Sequence, residues 1–125
     1  MVAHPPRITR DVPKGQRKPN LRRDRHHLDF VKSLPCMVCY AQPAGDPHHI
    51  RQGTDGGAGL TPSDRYAVPL CRLCHSRLHD GEARFWAALK IDPQDTAWAL
   101  WTNSGDIEAG ERIVFRARQA IGLHK

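Results

Sequence analysis

The apolar positions of this chain change period several times, and each change marks an element. In "RRDRHHLDFVKSLP", residues 22–35, Leu28, Val31 and Leu34 recur at helical spacing and stop before Pro35, so a short helix is predicted. Residues 42–64, "QPAGDPHHIRQGTDGGAGLTPSD", are rich in glycine and proline around "HHI", which predicts a strand opening into a long loop. "YAVPLC" reads as a short returning strand, and "RLCHSRLHDG" as a helix closed near Gly81. Beyond it, "EARFWAALKI", "DPQDTAWALW" and "GDIEAGERIVFRARQAIG" carry further helical pattern. Pro93 suits a first helical turn, and Trp86, Trp98 and Trp101 are expected to pack rather than to stack on bases. The pattern as a whole predicts a small α+β domain without internal repeats.

Composition adds a source of stability to that picture. At 125 residues the chain is expected to form one domain, and with 39% hydrophobic but only 6% aromatic residues its core should be modest. Something besides burial is expected to hold it. The N-terminal "MVAHPPRITRDVPKGQRKPN" has no apolar leader pattern and no run approaches a membrane span, so the expectation is a soluble cytoplasmic protein without membrane contact. Under reducing conditions, four cysteines in two Cys-x2-Cys pairs favour thiolate metal ligation over disulfides.

Charge divides the chain. Residues 1–25 hold eight basic residues (Arg7, Arg10, Lys14, Arg17, Lys18, Arg22, Arg23 and Arg25) against Asp11 and Asp24, which accounts for the whole net charge of +6. Proline is frequent there and large apolar side chains are nearly absent, so the segment cannot bury enough surface to fold alone. It is expected to be a disordered basic arm that contacts nucleic acid, ahead of a single domain over 26–125. A solubilising tail is the alternative that charge alone leaves open.

The candidate chemistry lies between residues 36 and 79. Cys36 and Cys39 in "PCMVC" repeat the spacing of Cys71 and Cys74 in "LCRLC", and two such knuckles form the four-thiolate set that zinc takes tetrahedrally. His75 and His79 are then left over. They lie four apart on one helix face, whereas Cys74 and His75 point about 100° apart, so one segment can face two metals. "DPHHI" offers further imidazoles: on a regular strand His48 and His49 point to opposite faces. A single Cys2His2 site with two free thiols is the less economical alternative.

Cys-x2-Cys, then "PHHI", then "VPLC-x2-CH-x3-H" resembles the zinc-braced HNH endonucleases. That resemblance covers about residues 35–80, and it implies a treble-clef-like ββα-metal core, two strands and a helix clamping a divalent cation, with a helical C-terminal part over 82–122. "GGAGLTPSDRYAVPLC" and "FWAALKIDP" are similar to a phage and prophage subgroup that includes the recombination-enhancement (Ref) nucleases, which act with RecA filaments. The resemblance implies His49 as general base, and His48, His75 and His79 as ligands of a catalytic cation, Mg²⁺ or Mn²⁺ in use, with Zn²⁺ or Ni²⁺ also able to occupy three imidazoles. The structural zinc would be a second ion. It further implies DNA cleavage leaving a 5′-phosphate and a 3′-hydroxyl, in a bacterial or phage-infected cell, with a RecA-type recombinase filament as a partner; nothing in the chain reads bases recognisably, so low sequence specificity is expected.

One departure stands out. The family's middle residue is an asparagine, and this chain has asparagine only at Asn20 and Asn103. Asp64 or Tyr66 lies nearest, and Asp64 is the favoured stand-in for orienting His49. Asp46 is read as a turn residue before Pro47 rather than as an orienting carboxylate. His26 and His27 are expected to be solvated or phosphate-adjacent, and His4 and His124 to have no catalytic part. Two other classes share these features: a non-catalytic zinc module that binds DNA, and a recombination adaptor that uses the helical C-terminal third.

Overall fold

The computed structural model describes residues 22–51, 53–56 and 61–119. Five helices and two strands follow one another as α1 (Arg25–Ser33), β1 (Asp46–His49), β2 (Ala67–Leu70), α2 (Arg72–Leu78), α3 (Glu82–Leu89), α4 (Pro93–Thr102) and α5 (Ile107–Gln119), with a 3-10 turn at Asp64–Tyr66 leading into β2. The domain is therefore α+β. Its two strands pair antiparallel, in the register Asp46 with Leu70, Pro47 with Pro69, His48 with Val68 and His49 with Ala67.

Local chemistry explains the boundaries. Asp24 caps α1 by accepting the His27 N–H at 3.0 Å, and the helix stops where Leu34 turns extended ahead of Pro35. Asp92 caps α4 through the Gln94 N–H, with Pro93 in the first turn where its lost N–H costs nothing. All four residues of β2 are buried, because α1 and α4 pack across it while β1 pairs with its edge. A four-residue strand of this kind is held by packing rather than by its ladder. The core it anchors includes Val31, Leu34, Ile50, Val68, Leu78 and Leu100, each at most 2% exposed; such side chains contribute about 1.5–3 kcal/mol each.

α5 returns against α1 at close range. A Cβ at Gly110 would lie 2.8 Å from Leu34 Cδ2 and 2.9 Å from Phe30 Cζ, so glycine sets the approach of the two helices. From the same helix the buried Arg118 reaches back to donate to the Val38 carbonyl through Nε (3.1 Å) and Nη2 (3.0 Å). That contact braces the chain between Cys36 and Cys39.

Two expectations change here. His27 is neither solvated nor phosphate-adjacent: it is fully buried, its Nδ1 is 2.8 Å from Ser104 Oγ, and its ring packs edge-on against Trp101 at 4.9 Å. It is the inward position of α1, one turn before Phe30 and Val31. Arg22 and Arg23, placed by charge in the arm, belong to the fold: Arg22 donates to Asp55 Oδ2 (3.1 Å) and Thr61 O (2.7 Å), and Arg23 to Pro62 O (2.9 Å) and Asp64 Oδ1 (2.8 Å). These donors hold the loop before β2. Arg25 opens α1 with its side chain 83% exposed. The other arm residues (Arg7, Arg10, Lys14, Arg17 and Lys18) lie outside the described residues, as do His4 and His124.

Candidate functional site

The first cysteine pair sits in the turn after α1 and the second at the start of α2. Met37 N–H donates to the Pro69 carbonyl at 3.0 Å, which pins the first knuckle to β2 and so to the second. Tyr40 closes the turn in the left-handed region (φ 69°), donating to Cys36 O at 2.9 Å. The Sγ atoms of Cys36, Cys39, Cys71 and Cys74 all lie within 4.8 Å of one another, with Cys39 and Cys71 at 3.5 Å. A zinc tetrahedron with Zn–S of about 2.3 Å has an S–S edge of roughly 3.8 Å, so the quartet can hold such an ion. Backbone N–H groups of Val38 and Cys39 point at Cys36 Sγ (3.4 and 3.5 Å), and that of Cys74 at Cys71 Sγ (3.4 Å). Burial would raise the Cys71 thiol, but the Cys74 N–H and the neighbouring cysteines bring it down to about 7, whereas burial pushes the Cys39 and Cys74 thiols up.

Cys74 faces this quartet, while the next residue, His75, faces away from it. The "PLCRLCHSRLH" segment is therefore divided between two places, as helical rotation requires. His75 Nε2 lies 3.2 Å from His48 Nδ1, and His75 Nδ1 lies 3.3 Å from Asp46 Oδ2. His79, exposed at the C-cap of α2, stacks at 4.7 Å from the His75 ring and stands 6.4 Å from His48. Among the described residues the cysteine quartet is the group whose ligand atoms all fall within 4.8 Å of one another; the three histidines are gathered more loosely.

β1 is regular, so His48 and His49 take opposite faces. His48 is 5% exposed and its Nε2 meets Glu82 Oε2 at 2.9 Å. Burial lowers its pKa, against the upward pull of the Glu82 carboxylate. His49, on the other face, has its Nε2 at 2.8 Å from Asp64 Oδ1. Asp64 is 2% exposed and accepts from three sides: from His49, from Arg23 Nη1 at 2.8 Å and from the Asp24 backbone N–H at 2.6 Å. Tyr66, the other residue considered for that place, instead meets the Arg65 guanidinium over its ring.

Two residues gain a place that the chain's pattern did not give them. Asp46 is on β1 and binds His75 and Arg72 rather than serving only as a turn residue. Glu82 carried no signal, because an acidic residue in a first helical turn is an ordinary feature. Gly81 brings it there: at φ 153° it takes a conformation that side-chain residues rarely adopt, so α3 starts at once and returns Glu82 to His48.

Residues 4–92 match the model of a family described as a protein of unknown function, DUF968. The chain belongs to the DUF968 family. A 56-residue stretch of this DUF968 chain, 45% of its length, is 41% identical to the uncharacterized protein YdfU of Escherichia coli strain K12, and covers 16% of that protein. The chain thus corresponds to a minor part of the curated relative it matches. No solved structure matches it. Among the described residues, no helix is long and apolar enough to cross a membrane.

Proposed function

We propose that this chain is a metal-dependent HNH-type endonuclease that hydrolyses DNA phosphodiester bonds. The observation that carries the reading is the His49–Asp64 pair on one face of β1, with His48 and His75 converging on the other. The order β1, β2, α2 around these residues is the arrangement that the HNH resemblance implies. A buried carboxylate accepting from Nε2 leaves the Nδ1 lone pair of His49 to take a proton from water. The attacking oxygen then bonds to phosphorus as the bond to O3′ breaks. Asp64 replaces the family asparagine and supplies the same hold on the imidazole, made firmer by Arg23 and the Asp24 N–H.

His48 and His75, joined by His79 from the end of α2, would hold the catalytic cation. A separation of 3.2 Å between His48 Nδ1 and His75 Nε2 suits two nitrogens sharing one ion: at about 2.1 Å from each, an ion sets them roughly 3.0–3.4 Å apart. When bound, such an ion stabilises negative charge on the phosphate and the leaving oxygen. Cys36, Cys39, Cys71 and Cys74 would hold a structural zinc, which would fix the start of α2 and hence the position of His75. The basic residues ahead of α1 would add affinity without base choice. The similarity to Ref-like nucleases extends the proposal to phage or prophage recombination and to a RecA-type filament as partner.

The test is cleavage of supercoiled plasmid and of single-stranded DNA, with Mg²⁺, Mn²⁺ or no added metal, with and without a RecA filament, for wild type and His49→Ala. Metal-dependent cleavage lost in a folded, zinc-loaded His49→Ala supports the reading. DNA binding without cleavage under every condition overturns it in favour of a zinc-containing DNA-binding module.

A further inference from the structure

Two carboxylates stand behind the two converging histidines, one each, and neither belongs to the catalytic set read from the sequence. Glu82 Oε2 is 2.9 Å from His48 Nε2, with side-chain exposures of 14% and 6%. Asp46 Oδ2 is 3.3 Å from His75 Nδ1, at 24% and 23%. Each carboxylate takes the outer ring nitrogen and leaves the inner one, and the two inner nitrogens face each other at 3.2 Å.

The tautomers follow from this pairing. A carboxylate accepts only, so His48 carries its proton on Nε2 and His75 on Nδ1. Both inner nitrogens then present lone pairs to the same place. Two lone pairs at that distance repel unless a cation lies between them. The arrangement is the carboxylate–histidine support found behind imidazole metal ligands, in which the outer hydrogen bond sets ring orientation and raises ligand basicity.

We propose that Glu82 and Asp46 are positioning residues that lock His48 and His75 in the tautomers needed to bind one divalent cation, Glu82 being the stronger of the two. This rests on the reading of His48, His75 and His79 as cation ligands. The order of strength comes from geometry. Glu82 is held in place by Trp86 Nε1, which donates to Oε2 at 3.2 Å, and its contact is short and buried. Asp46 meets His75 at the longer 3.3 Å with both side chains about a quarter exposed, and its second donor, Arg72 Nε at 3.2 Å, comes from a side chain 86% exposed and holds it less firmly. The site thus draws on three elements: β1 supplies His48 and Asp46, α2 supplies His75, and α3 supplies Glu82 through the sharp turn at Gly81.

The experiment uses the full chain with its cysteine quartet loaded with zinc. Co²⁺ is titrated in, with d–d absorption and calorimetry as readouts; sulfur-to-cobalt charge-transfer bands report any exchange into the quartet. Wild type, His48→Ala, Glu82→Ala, Glu82→Gln and Asp46→Ala are compared after circular dichroism and zinc content are checked. The expected result is one ion beyond zinc in wild type, none in His48→Ala, a 10–100-fold weaker site in Glu82→Ala, and a smaller loss in Asp46→Ala. Glu82→Gln, which keeps an acceptor but no charge, should fall between Glu82→Ala and wild type, and covers the case in which the alanine variant fails to fold. Imidazole ¹⁵N shifts provide a second readout: His48 should be the Nε2–H tautomer in wild type and lose that preference in Glu82→Ala. Wild-type affinity in all three carboxylate variants, with binding abolished in His48→Ala, would overturn the positioning role and leave the cation site standing. No second ion in wild type would remove the cation site itself, and this proposal with it.

Discussion

Acidification tests the packing beneath the site through His27. Its imidazole is fully buried, and burial pulls its pKa down to about 4 from an ordinary 6.5, against the opposite pull of Asp24 and Asp64. Nδ1 has Ser104 as partner, and Nε2 has none among the described residues, so a second proton would be placed where nothing receives it. Between these two pKa values the unfolded chain binds a proton that the folded chain refuses. Stability from this group is therefore whole above pH 6.5, falls as pH drops, and levels off below about 4. At 1.36 kcal/mol per pH unit the loss amounts to about 3 kcal/mol, a large share of a small domain's total. Urea unfolding followed by tryptophan fluorescence at pH 7, 6, 5 and 4.5 measures it, with His27→Phe as reference. Any thiolate protonation or loss of a quartet-bound metal at low pH would weaken both proteins alike and cancel in the difference. Over pH 7 to 4.5 the wild type should lose about 2 kcal/mol more than the variant, the rest of the loss falling below pH 4.5. Parallel loss in the two would refute the assignment of a neutral, buried His27.

Other consequences follow from particular contacts. With zinc on the quartet as proposed, a chelator, or Cys36→Ser, should unfold the core, since structural zinc contributes on the order of 10–16 kcal/mol of apparent binding energy; circular dichroism unchanged after complete metal removal would contradict this. Asp64→Ala should lower cleavage by about 10²–10⁴-fold through loss of His49 orientation, and stability by only about 1–3 kcal/mol because Arg23 is already 38% exposed; an unchanged turnover would remove Asp64 from the site. Deleting residues 1–20 removes Arg7, Arg10, Lys14, Arg17 and Lys18, and should reduce the slope of log K for DNA against log salt by up to about 4.5, with little change in the urea midpoint. Gly110→Ala gains about 1 kcal/mol of helix propensity but forces Leu34 and Phe30 apart, so a net loss of about 1 kcal/mol is expected, and a raised urea midpoint would show the helices to be less tightly set.

What the sequence determined by itself was local. Periodicity and punctuation placed the helices and both short strands, because caps, prolines and apolar spacing act within a few residues. Ligand spacing separated the cysteine quartet from His75, since one residue of helix is a fixed rotation. Alternation along "PHHI" sent His48 and His49 to opposite faces for a similar reason. Contacts between distant segments were not legible. His27 read as one of several polar residues beside a basic arm, and only α4 and the Ser104 turn, more than seventy residues on, made it interior. Arg22 and Arg23 counted as free charge until the loop before β2 brought Asp55 and Asp64 to them. Glu82 was one more acidic residue at a helix start, and Asp46 one more turn former, until the fold set each behind a histidine. A side chain's type and spacing fix what it can do, but its partner is chosen by the path of the whole chain.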